Sequence, residues 1–560
     1  MRLFSLLFLG CFLMVSCNIH LNRENEMRLF IKNYVEKVAP LYKQANLASW
    51  EASTTGNPEK YKEAAKIEFE IAKIHSNRDD FLKLKEFLKE DIKDRVLKRQ
   101  LTLIYLAYAG KQGDPNILKE IIDLQNSIEE RFNTFRANLN GKKVTDNQLK
   151  EILRKEKRDM KLRKDAWLAS KQIGKVVAED VIKLAKLRNK LARSLGYRDY
   201  FDMALQLNEQ TPEEIIGLLD ELDREIAPEY AKVKKDIDRM LAERYGISSK
   251  KIMPWHYEDP FFQEGISFDN VDLDRYYRGK DIVAIAKRFY SSIGLDVNEI
   301  LERSSLYEKE GKMQHAFCTD IDREGDVRIL TNVKDNEYWM DTVLHELGHA
   351  VYDKYIDRKL PYVLREACHT FTTEAVAMLF GRQSKNPEFL KEYCGVSEKE
   401  ANRIAPELYR MQKYQQLVFS RWCQVMTRFE KELYAHPEKG VDYFNNYWWK
   451  LKEKYQLVKK PDGRNNPDWA AKIHISAYPV YYHNYMLGEL FASQMNYYIA
   501  KNILHTENIK QTFLGENKGI GDYFVEKVFK PGALYRWDEF VKEATGDRLN
   551  PVYYKMQFVK

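Results

Sequence analysis

The chain has 560 residues, 44% of them apolar, which is ample for a large core and compatible with one big domain. Lys plus Arg outnumber Asp plus Glu by only 91 to 84, and the two signs are interspersed. The densest run, LRKEKRDMKLRKD (153–165), alternates in sign and reads as a solvated helix face, so no nucleic-acid partner is expected.

In chain order, the first element is MRLFSLLFLGCFLMVSC, apolar from Leu3 to Val15 behind Arg2. It is too short to span a bilayer and reads as a secretory signal. Met14-Val15-Ser16-Cys17 resembles a bacterial lipobox, which implies cleavage before Cys17, a lipid on that thiol and export to the cell envelope, with 1–16 as signal and 17–26 as a polar tether. No later stretch is long and apolar enough to cross a membrane. The remaining cysteines, Cys318, Cys368, Cys394 and Cys423, are too scattered for a disulfide framework and lack C-x-x-C spacing.

From 27 to 560 the pattern predicts a single, mainly helical domain, two lobes of one fold. Helix-period faces run through Phe30, Tyr34, Val38 and Leu41, then over 61–75, 81–108, 115–138, 165–194 and 213–244. Strand signals are few. HAFCTDI (315–321) and DVRILTNV (326–333), joined by Asp322-Arg323-Glu324-Gly325, predict a hairpin just before the next helix.

That helix contains HELGH (345–349). Histidines at i and i+4 lie one turn apart on one face, so His345 and His349 can meet one ion, and Glu346 is rotated by about 100° to where it reaches a water at the metal without being a ligand. The chemistry this spacing predicts is Zn2+-dependent attack on a peptide carbonyl, with Glu346 as general base. Tyr352 and Tyr355 stand where a longer H-E-x-x-H-x-x-G-x-x-H motif would carry Gly and His, so the third ligand comes from elsewhere. Glu374 fits, with Thr372 and Thr373 as caps of an apolar helix EAVAMLFG; Glu366 and His369 compete on spacing.

These residues, with NLASWEASTTGNPE (46–59), QHAFCTDIDREGDVRI (314–329), WWKLKEKYQ (448–456), AKIHI (471–475), YYHNY (481–485) and WDEFVKEATGDRLNP (537–551), resemble the angiotensin-converting-enzyme family of zinc peptidyl-dipeptidases over nearly the whole mature chain. Thimet-type oligopeptidases are more distant relatives with the same zinc logic. The resemblance implies a deep central cleft between the two lobes, with His345, His349 and Glu374 as zinc ligands and Glu346 as general base and acid; a monomer is expected. It implies Tyr485 as the phenol that stabilises the oxyanion, with His474 beside the substrate. His315 and Ala316 would offer a hairpin edge to which an extended peptide adds as a strand. Lys472, Tyr482 and Gln263 would grip the C-terminal carboxylate of an oligopeptide. The implied activity is release of C-terminal dipeptides; an oligopeptidase, a single-residue carboxypeptidase or an inactive peptide-binding lipoprotein are the rival readings. The match to His474 and the tyrosines needs one extra residue between them. Asn484 and Lys452 replace the family's chloride-binding arginines, so chloride activation is not expected. Met378 replaces an acidic residue one turn after the third ligand, and Gln314 replaces a cysteine, so no disulfide is carried over.

Overall fold

The structure, a computed structural model, describes residues 2–268 and 271–559, with side chains from residue 23 onward. The leader and Cys17 therefore fall outside the described side chains. The first helix, α1 (Arg2–Thr55), buries Met27, Ile31, Tyr34 and Val38 on one stripe. Where a tether was expected, Arg23 and Glu26 are already part of this helix and pair with each other and, from Arg23, with Glu90.

The N-terminal layer continues with α2 (Pro58–His75), α3 (Arg78–Phe87) and α4 (Arg95–Ala109). One helix over 81–108 was expected. The structure has two, because the Asp94 carboxylate accepts the Val96 and Leu97 N–H groups and restarts the helix after the 88–94 turn. Next come α5 (Pro115–Thr134), the hairpin β1 (Ala137–Leu139) and β2 (Lys142–Val144), then α6 (Asp146–Lys155), α7 (Met160–Ser170), α8 (Gln172–Ser194), α9 (Tyr200–Leu207) and α10 (Pro212–Tyr245). Helices α2, α5 and α10 share one start signal: a polar cap (Asn57, Asp114, Thr211) followed by proline, whose missing N–H costs nothing in the first turn. The β1–β2 hairpin was not foreseen and cuts short the helix expected to reach 138; Asn140 and Gly141 supply its positive-φ turn.

The second half holds α11 (Asp274–Tyr277), α12 (Ile282–Ser292), α13 (Asn298–Arg303), the expected hairpin β3 (Phe317–Asp320) and β4 (Val327–Leu330), α14 (Glu337–Tyr355), α15 (Thr370–Gly381), α16 (Pro387–Cys394), α17 (Glu398–Ala435), α18 (Gly440–Leu451), α19 (His474–Ala477), α20 (Tyr482–Asn502), α21 (Lys518–Tyr523), α22 (Trp537–Thr545) and α23 (Val552–Phe558). The fold is mainly helical, as expected, with the β3–β4 hairpin packed against α14. One continuous apolar core runs from Ile117 to Phe558, while Met27, Leu84, Leu97 and Tyr108 form a smaller core under the N-terminal layer. Among the described residues no helix is long and apolar enough to cross a membrane, and Cys318, Cys368, Cys394 and Cys423 are free thiols.

Candidate active site

Helix α14 starts at Asn336, whose side chain accepts the Trp339 N–H, and buries Met340, Val343, Leu344 and Leu347. His345 and His349 emerge on its other side. Gly348, between them, lets α15 come close: a Cβ there would lie 2.8 Å from Ala377 Cα. That approach sets Glu374 over the two imidazoles. His345 Nε2 and His349 Nε2 are 3.2 Å apart, and Glu374 Oε2 is 3.7 and 3.9 Å from them. Ligands about 2.0–2.2 Å from a tetrahedral ion are separated by roughly 3.4 Å, so this N, N, O triangle fits a zinc ion with one position open.

The rival ligands are occupied elsewhere. Glu366 Oε2 accepts Arg323 Nη2 at 2.6 Å. His369 is the N-cap of α15, with its ring accepting the Phe371 N–H and its Nε2 3.1 Å from Asn208 O. The expected caps Thr372 and Thr373 therefore lie inside the helix, because capping begins at His369. This frees Thr373 for another contact, Oγ1 to His349 Nδ1 at 2.7 Å, which fixes the ring orientation. Asp341, one turn before His345, places a negative charge at that imidazole. Met378 packs its methyl against α20 at Gly488, where a Cβ would come within 2.6 Å. The sequence pattern missed Thr373 and Asp341; a hydroxyl or carboxylate one turn from a ligand, or beside it, was the available signal.

Gly488 lets α20 close on α15 and brings Tyr485 toward Glu374. Burial, then the Glu374 charge, pushes the Tyr485 phenol up to about 12, so it keeps its proton. The ring is bracketed by Phe419, Tyr481 and Tyr482 at 6.4, 5.2 and 5.4 Å between centroids. Tyr481 also feels the Glu374 charge. Glu346 is 8% exposed, and burial followed by Glu374 pushes its carboxyl up to about 8; burial alone raises Glu374 to about 7. Burial lowers both His345 and His349, keeping them neutral and available to a metal.

A second group lies toward the far side. Lys472 Nζ donates to Gln263 Oε1 at 2.7 Å, and the Tyr482 hydroxyl approaches the same oxygen at 3.5 Å. The Asp259 carboxylate accepts the Gln263 N–H and holds that loop in place. The Lys472 ammonium lies over the rings of Phe261, Trp422 and Tyr482 at 5.5, 5.5 and 5.4 Å. Burial pushes it down to about 8. His474 packs against Tyr482 with centroids 5.2 Å apart, its Nδ1 buried without a partner, and burial followed by Lys472 lowers it to about 4. Lys472, Gln263, His474 and His315 share the lining of one cavity of about 700 Å³ that extends to Arg136, Lys150 and Arg154.

His315 and Ala316 lead directly into β3. Lys312 anchors this entry, donating to Ser305 O and Tyr307 O at 2.9 and 2.7 Å. Strand β3 pairs with no strand but β4 among the described residues, and Asn46 Nδ2 of α1 donates to Asp320 O and Ile321 O, both at 3.2 Å, at its far end. At the positions of the expected departures, Lys452 Nζ donates to Phe261 O at 2.8 Å and to Gln456 Oε1, and Asn484 is buried beside Gln210.

A family model described as peptidase family M3 matches residues 153–559, and one described as angiotensin-converting enzyme matches residues 21–257. An angiotensin-converting enzyme of Theromyzon tessulatum is 20% identical over 96% of this chain and 91% of its own length. The angiotensin-converting enzyme of Rattus norvegicus is 23% identical over 59% of this chain but only 27% of its own length, so the chain spans about a quarter of that protein. An angiotensin-converting enzyme-like protein of Mus musculus is 22% identical over 94% of this chain and 74% of its own. With the M3 match covering α14, α15 and α20 and the other covering the N-terminal layer, the chain belongs to peptidase family M3 and is an angiotensin-converting-enzyme-like metallopeptidase.

Proposed function

We propose that this metallopeptidase is a zinc-dependent peptidyl-dipeptidase releasing C-terminal dipeptides from oligopeptides. His345, His349 and Glu374 would hold the ion, which when bound supplies a Lewis acid for the scissile carbonyl and for the attacking water. Beside the charge of the ion the Glu346 carboxyl would be lowered again, so that Glu346 would take the proton of that water and hand it to the leaving amine. The Tyr485 hydroxyl donates to the developing oxyanion, and neutral His474 bonds the substrate beside it. The edge at His315 and Ala316 holds the peptide extended.

The dipeptide register is supported by the Lys472–Gln263–Tyr482 group and its reach from Tyr485. The Lys472 ammonium is 5.4 Å from the Tyr482 ring, and that ring is 5.4 Å from the Tyr485 ring, so the cation is within roughly 11 Å of the Tyr485 ring. Two extended residues span roughly 7 Å, which lies within that limit and supports a C-terminal carboxylate at Lys472 when the bond beside Tyr485 is cut. The cavity beyond Lys472 favours a second reading, cleavage further from the C-terminus, as an oligopeptidase would do. We further propose export through the 1–16 leader and lipid anchoring at Cys17. Mass spectrometry of products from peptides blocked at the N-terminus, with and without a chelator, tests the activity. Dipeptides that vanish on chelation and return with zinc are expected. Longer C-terminal products favour the second reading, and single residues refute both. Glu346→Gln should keep stoichiometric zinc and lose nearly all turnover.

A further inference from the structure

Between His474 and Tyr485 the loop passes through Val480 at φ 55°, in the left-handed region where a β-branched side chain is an outlier. Such a conformation persists only when its surroundings dictate it. Two buried ionisable side chains do this. Glu430 of α17, 1% exposed, accepts the Val480 N–H at 2.8 Å. Arg188 of α8, 3% exposed, donates to Ser476 O at 2.7 Å, and also bonds Gln125 Oε1 at 2.7 Å and Tyr434 OH at 3.1 Å. Neither side chain belongs to the metal site or to the Lys472 group. Both hold the loop from below, at points four residues apart, and its two ends carry His474 and the Tyr482–Tyr485 turn.

We propose that Glu430, supported by Arg188, is a positioning residue that holds the 476–480 loop in its strained form and thereby sets Tyr485 against His474. The inference rests on the reading that these two side chains meet the substrate. Burial pushes the Glu430 carboxyl up to about 8. At neutral pH a carboxamide is then a close substitute, since its oxygen can accept the same N–H. Aspartate is not, because it is one methylene short of a 2.8 Å bond.

The test compares Glu430→Gln, Glu430→Asp and Glu430→Leu in the full chain, with zinc content, thermal unfolding, kcat and KM measured for each. Glu430→Gln should stay within about threefold of wild type. Glu430→Asp and Glu430→Leu should keep zinc and lose at least about tenfold in kcat, since a misplacement of about 1 Å is enough for that. Adding Val480→Gly to Glu430→Leu should recover most of the loss, because glycine takes positive φ without support. Should the leucine variant not fold, the Gln and Asp pair decides. Crystal structures of that pair give a readout independent of turnover: the Tyr485 hydroxyl should move by about 1 Å or more in Glu430→Asp and stay in place in Glu430→Gln. A wild-type chain that cleaves no peptide would refute the functional reading, and the crystal structures would still judge this one. An unmoved Tyr485 and wild-type kcat in folded Glu430→Asp, or equal losses in Gln and Leu, would overturn it.

Discussion

Replacing Lys472 by leucine removes the cation from the Gln263–Tyr482 group while leaving an apolar side chain among Phe261, Trp422 and Tyr482, so the fold should survive. A charge-assisted hydrogen bond to a substrate carboxylate contributes about 1.5–3 kcal/mol. That corresponds to roughly 10- to 100-fold in KM for a free-acid peptide. An amidated peptide makes no such contact, and its KM should change by less than about threefold. Steady-state kinetics on a matched acid and amide pair measures both. The pH profile adds an internal check. Burial holds the free enzyme's ammonium near 8, so its contribution is present below that pH and is lost as pH rises through it. For the acid substrate kcat/KM, which reports groups on the free enzyme, should fall on the alkaline side, and in Lys472→Leu or with the amide that limb should be absent. Equal losses for acid and amide, or an unchanged alkaline limb in Lys472→Leu, would refute the assignment of Lys472 to the carboxylate.

Thr373→Val deletes the acceptor at His349 Nδ1 and should weaken zinc affinity by about 10- to 100-fold, measured by chelator competition and without recourse to turnover. Activity should stay flat between zero and about 0.1 M chloride relative to acetate, since Lys452 is satisfied by Phe261 O and Gln456, burial pushes it down to about 7, and Asn484 is neutral. Cys17→Ser should release a soluble form or block processing; a mature wild-type protein that still begins at Met1 would refute the anchor.

The helical class, the β3–β4 hairpin and the HELGH helix were legible because each has a periodic or turn signal within a few residues. The pairing of Glu374 with His345 and His349 was legible only as one of three candidates until a family resemblance chose it. What decides it physically is the close approach at Gly348, a tertiary fact that leaves no local trace. The same holds for the Lys472–Gln263–Tyr482 group, whose members come from three separate segments. The break at 88–94 and the β1–β2 hairpin were missed because apolar periodicity continues across the first and Asn140-Gly141 was not weighed as a turn. Glu430 had no signal at all: an acidic residue inside an amphipathic helix reads as solvent-facing until the loop above it is seen.

Burial sorts the cleft into neutral and charged positions, and this gives a bound peptide its direction. At neutral pH the lowered His474 is an uncharged imidazole and the raised Tyr485 an uncharged phenol, so neither attracts a carboxylate over the bond to be cut. Lys472, lowered only to about 8, keeps most of its charge, and a carboxylate beside it would raise it further. Glu374 acts on Tyr485, whose ring neighbours Tyr482, over which the Lys472 ammonium lies. Under the proposed function a C-terminal carboxylate would be drawn to the Lys472 end, with the chain behind it running past His474 and Tyr485 toward the ion. An N-terminal ammonium placed at Lys472 would meet a like charge in a desolvated site, so under the proposed function the reversed peptide would be disfavoured by repulsion as well as by lost contacts.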